Sequence, residues 1–128
     1  MPGNYSKRRL LCYALAVFFI VAGANHFRDP NFYLPLIPPY FHFPEVINWA
    51  TGILEVLFGG LLLLKRYRLF ASFGILSLLL LFIPSHVYFI KIGSCIEDGL
   101  CVQEWIGWLR LFVIHPLLLF WVWIVRNA

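Results

Sequence analysis

At 128 residues, with 62% of them hydrophobic and only 12% charged, the chain has more apolar surface than one small soluble core can hide. A soluble domain carries about twice that charged fraction, so lipid must serve as a second solvent. The net charge of +4 does not mark a nucleic-acid binder. Most of it sits beside apolar runs, in Lys7-Arg8-Arg9 and in Lys65-Arg66 with Arg68, as helix anchors at a membrane surface do.

A spanning helix needs roughly 20 mostly apolar residues, because the hydrocarbon layer is ~30 Å thick and each residue rises ~1.5 Å. The sequence predicts four such spans, at about 10–27, 46–64, 69–90 and 105–125. They form an all-α four-helix transmembrane bundle and leave room for one membrane domain over 1–128. The rival for the first run is a cleaved signal peptide with Lys7-Arg8-Arg9 as its basic region and Ala22-Gly23-Ala24 as the cleavage site. Basic residues precede the first run, separate the second from the third, and follow the fourth at Arg126. The positive-inside rule then places both termini in the cytoplasm and the other two connections outside. The first of these, Asp29 to Pro44, holds Pro30, Pro35, Pro38, Pro39 and Pro44 among aromatic and aliphatic residues. That proline density forbids a regular span. The segment reads as an interfacial anchor, with a shallow lid over the bundle as the alternative.

Ionisable groups inside spans cost ~2.5–3.5 kcal/mol near the bilayer centre and so need a reason. Five qualify: His26, Glu55, His86, Arg110 and His115. Glu55 lies near the middle of the second span, on a face shared with Asn48, Thr51, Gly52 and Gly59. Such a small and polar stripe points into a bundle rather than at lipid. Glu55 must find a cation or stay protonated. Arg110 is the expected cation, since the two depths differ by only roughly 5–6 Å at ~1.5 Å per residue. The alternative is an Arg110 that reaches to the interface unpaired. His26 and His86 lie at similar depth, and Pro84 should kink the helix before His86. These residues are expected to converge on one outward-facing polar cavity, with Asn48 and Thr51 as further ligand-binding or proton-exchange candidates. His115 lies roughly 140° around an ideal helix from Arg110 and is read as structural. No histidine or cysteine spacing marks a metal site, and axial haem ligation by His26 and His86 is the weakest reading.

Cys12 reads as an inert buried residue. Cys95 and Cys101 share the second outward loop and form a disulfide candidate, either a structural clip or a redox-active pair; they are not a C-x-x-C motif.

Taken together, these segments resemble the DoxX-like family of small four-helix membrane proteins. The matching stretches are Ala22-Gly23-Ala24-Asn25-His26-Phe27 through Pro30, then Tyr33 and Ile37-Pro38-Pro39-Tyr40. They continue with Thr51-Gly52-Ile53-Leu54-Glu55-Val56, Gly59-Gly60, Ile83-Pro84-Ser85-His86 and Trp108-Leu109-Arg110-Leu111. His86 stands where the family usually has asparagine, and Phe112 and Ile114 replace its proline and glutamine. The resemblance implies a bacterial inner-membrane protein. Some such proteins are subunits of a thiosulfate:quinone oxidoreductase or of thiol-linked assemblies, others assist disulfide formation in an amine dehydrogenase, and an animal branch chaperones receptor assembly. Two functions follow as expectations. One is a quinone- or thiol-linked redox protein or oxidoreductase subunit, in which Arg110 holds an oxygen and Glu55 exchanges protons. The other is a non-enzymatic factor that binds a lipid-like ligand or assists membrane-protein assembly. A plain structural subunit is a third reading.

Overall fold

A computed structural model describes residues 2–128. Its helices are α1 (Pro2–Arg28), the single turn α2 (Pro30–Tyr33), α3 (Pro44–Leu62), α4 (Arg68–Leu81), α5 (Ile83–Lys91), α6 (Glu104–Leu109) and α7 (His115–Val125). Four continuous segments, Gly3–Arg28, Pro44–Leu62, Lys65–Lys91 and Glu104–Val125, are long and apolar enough to cross a membrane. The chain is therefore a multi-pass membrane protein built as an all-α four-helix bundle. The helix α1 starts eight residues before the predicted span. Lysine and arginine are good helix formers, so the apolar run marks the lipid-embedded part of the helix and not its end.

Proline shapes each remaining span. Pro44 opens α3 at its first turn, where a missing N–H costs nothing, and Phe43 before it turns the chain in a left-handed conformation (φ 61°, ψ 59°). Pro84 cannot donate to the carbonyl of Leu80, and its ring would clash there. The third span accordingly breaks at Phe82 between α4 and α5. Pro116 makes the same conflict with Phe112. There the helix widens into a π turn over Arg110–Ile114, and the His115 N–H bonds the Arg110 carbonyl.

The bundle has two unlike ends. At the basic end Tyr5, Arg9, Lys65, Asn127 and Ala128 surround one cleft, which brings both termini together with the α3–α4 connection. The apolar core lies in this half: Cys12, Leu15, Phe19, Leu62, Ile75 and Val122 are buried together. Arg68, only 3% exposed, ties the half together. Its Nε donates to the Leu62 carbonyl at 2.8 Å and its Nη1 to the Ala128 carbonyl at 2.6 Å. The other end carries the Cys95–Cys101 disulfide. Here α1 stays on α3, while α5 pairs with α6 and the π turn, and a 3-10 turn at Leu34–Leu36 lies against both α3 and α5. The Asp29–Pro44 segment thus divides in two. Leu36 is buried and its carbonyl accepts from the Ser85 hydroxyl at 2.8 Å, whereas Tyr40 and Phe43 are exposed.

Small residues let α1 and α3 nearly touch. A Cβ on Gly23 would sit 2.6 Å from the Gly52 carbonyl oxygen and 2.8 Å from the Val56 nitrogen. This backbone approach leaves no room for any side chain at that position.

Candidate functional site

The close approach of α1 and α3 brings His26 onto the buried stripe Asn48, Gly52, Glu55 and Gly59. The Asn48 amide Nδ2–H donates to the His26 carbonyl at 3.0 Å, so its Oδ1 faces the ring and lies 2.7 Å from His26 Nδ1. An amide oxygen only accepts, which makes Nδ1 the protonated ring nitrogen. The opposite nitrogen, Nε2, sits 3.3 Å from Glu55 Oε2, somewhat off the ideal hydrogen-bond direction. The two groups are thus in contact with no hydrogen bond to Oε2. Glu55 is 4% exposed, and this is the one ion pair among the described residues. Tyr33 stacks on the His26 ring at 3.9 Å, and its hydroxyl accepts from Asn25 Nδ2 at 2.7 Å. The single turn α2 thereby covers the pair. Thr51, one turn along, spends its hydroxyl on the carbonyls of Ile47 and Asn48.

The expected Glu55–Arg110 pair does not form. Arg110 belongs to the other helix pair, with its guanidinium 4.9 Å above the Phe89 ring of α5. One turn deeper the rings of His86 and His115 meet edge to face at 4.8 Å. The placement of His115 corrects a second expectation. The angle of roughly 140° holds for an α-helix, but a π turn stacks residues five apart, as its i→i+5 hydrogen bond requires. Arg110 and His115 consequently share a face, and the signal for this was Pro116.

The single polar cavity is likewise replaced by separate features. A cavity of 210 Å³ lies between the pairs, lined by Ile37, Pro38, Phe41, Ile47, Thr51, Leu81 and Ser85. Neither Glu55, Arg110, His26 nor His86 lines it. Its two hydroxyls donate to backbone carbonyls, so it is an apolar chamber roofed by the proline-rich segment. At the far end of α5, Cys95 and Cys101 are joined as a disulfide, and Cys12 is fully buried. Among the described residues no group of three or more histidine, cysteine or acidic side chains could hold a metal ion.

Fold and buried ionisable groups together define a four-span membrane protein with a buried histidine–glutamate contact between its first two spans. The chain belongs to the family described as domain of unknown function DUF8561, whose model matches residues 15–126. No curated protein and no solved structure matches it.

Proposed function

We propose that the protein binds a lipid-soluble ligand of the quinone class in the apolar chamber and exchanges protons with it through His26 and Glu55, as a redox protein or oxidoreductase subunit of a bacterial inner membrane. The observation that carries this reading is the contact of two buried ionisable groups, His26 and Glu55, 3.3 Å apart. A carboxylate this far from water is costly to keep unless it does something. Resemblance to the DoxX-like family points the same way, since some of its members serve quinone- or thiol-linked oxidoreductases. The distribution of basic residues supports cytoplasmic termini, and with them a Cys95–Cys101 loop on the oxidising side.

The chamber suits the ring and tail of such a ligand, and a quinone would supply two-electron chemistry that consumes two protons. The protein's part is narrower. Asn48 fixes the tautomer of His26, Tyr33 shields the pair, and Thr51, one helical turn from Glu55, lines the chamber. To donate to a ligand carbonyl, the Thr51 hydroxyl must turn away from Ile47 and Asn48. Mass spectrometry of small molecules and an absorption spectrum on gently purified wild type and Glu55→Ala test this directly. A quinone present in wild type and absent from a folded mutant supports the reading. Equal retention in Glu55→Gln and wild type, with unchanged quinone-linked activity, would sink the proton-exchange role.

One observation favours a second reading, a non-enzymatic factor for a lipid-like ligand or for membrane-protein assembly. Both hydroxyls lining the chamber are already satisfied, so an apolar tail without polar chemistry fits it as found. Co-purification of a plain lipid or a membrane client, with no redox-active molecule, selects this alternative.

A further inference from the structure

The interface between α5 and the fourth span has a ladder of contacts that the proposed ligand does not use. From the disulfide end inward, Ser94 packs on Gly107, Phe89 lies under Arg110, and His86 meets His115. Each rung holds a buried polar atom without a partner: Ser94 Oγ, Arg110 Nη1 and His115 Nε2. His115 is 4% exposed and Ser94 fully buried. An arginine N–H can only donate. No carboxylate pairs with Arg110 among the described residues. Arg110 is half-buried, and a partly desolvated cation without a counter-charge is unfavourable, more so inside a bilayer.

Beside the ladder runs a groove of 420 Å³ lined by Val87, Ile90, Lys91, Trp108, Leu111 and Phe112. Its residues are the sequence neighbours of the ladder residues, so it occupies the adjoining face of the same helix pair. Trp108 and Phe112 stack in parallel at 5.6 Å along one wall, and both are more than half exposed. The groove therefore opens to lipid. Arg110 lies about 9 Å from the start of α6 at ~1.5 Å per residue. Helical side chains lean toward the N-terminus of their helix, which directs its guanidinium toward the head-group level at the disulfide end.

We propose that this ladder binds the head of a membrane lipid of net negative charge, with Arg110 donating to its phosphate, His115 completing the site, and an acyl chain lying in the groove beside Lys91. A net negative head matches the unpaired guanidinium, and an apolar groove open to the bilayer matches a lipid rather than a small soluble anion. The site lies on a different helix pair from His26–Glu55 and stands or falls independently of the quinone-class ligand.

The test uses the full chain in detergent, delipidated and then titrated with phosphatidylglycerol or phosphatidylcholine, with bound lipid counted by native mass spectrometry. Wild type should retain phosphatidylglycerol in clear preference to phosphatidylcholine. Arg110→Gln should weaken that retention about 10- to 100-fold, the loss of one charge-assisted hydrogen bond, while Arg110→Lys should recover part of it. Equal retention of the two lipids by wild type overturns the proposal without recourse to any variant. So does inorganic phosphate that displaces the lipid at equal concentration, because the site would then belong to a soluble anion. Retention in a helical Arg110→Gln protein matching wild type overturns the role of Arg110.

Discussion

Two arginines, one in each half of the bundle, show how differently the halves are built. Arg68 and Arg110 are both held within helical spans, yet Arg68 has carbonyls from two segments within 2.8 Å, and Arg110 has an aromatic face and an unpartnered N–H. The basic half is a closed four-helix core in which even a guanidinium is a structural tie. In the disulfide half the same four spans part into two pairs, with a proline-rich wedge, an apolar chamber and unpaired polar atoms between and within them. The apolar core and its arginine tie lie in the first half, and the buried histidine–glutamate pair and the apolar chamber lie in the second.

Substitutions should therefore differ in sign and size between the halves. The largest effect is expected at the seam that joins α1 and α3. Gly23→Leu forces a side chain into backbone 2.6 Å away and should cost upwards of about 3 kcal/mol, read as loss of the folded bundle in a thermal melt in detergent. A melt like wild type would mean that the two helices are not held together there. Next come the paired arginines. Arg68→Met removes two charge-assisted bonds and should cost about 3 kcal/mol. In lipid-free detergent Arg110→Met should leave the melting temperature unchanged or raise it, because a half-buried uncompensated charge is removed. If both variants lose the same stability, the contrast between the halves is wrong. Cys101→Ser opens a loop of a few residues and should cost about 2 kcal/mol by chain entropy. Hydrogen exchange should show that loss near residues 92–103 and leave the core around Ile75 protected. The smallest change is Ser85→Ala, about 1 kcal/mol for one hydroxyl bond to Leu36, detectable as faster proteolysis of the Asp29–Pro44 segment.

Much of the frame was legible from the residues. Composition and basic clusters determine four spans, Pro84 marks the break in the third, and the spacing of Asn48, Gly52, Glu55 and Gly59 identifies the buried face of α3. The partner of Glu55 was not legible. Depth along a helix follows from counting residues, but which helices are neighbours depends on where backbones can touch, and Gly23 against Gly52 decided that in favour of His26. The shared face of Arg110 and His115 was not legible for a different reason: the angle of roughly 140° assumes 3.6 residues per turn, and Pro116 makes the preceding turn a π turn. Arg68 was read as an anchor because a basic cluster carries no sign of which member turns inward.

The π turn also bears on how this protein can change over generations. One surplus residue in the fourth span keeps α7 in register with the basic-end core while α6 and Arg110 are rotated separately. Deleting one residue from 111–114 together with Pro116→Ala would restore an ordinary helix and swing the segment before it by about 100°, taking Arg110 off the α5 face. Tinkering with recognition at one end of the membrane can thus proceed by single-codon insertions and deletions, without the opposite end having to repack.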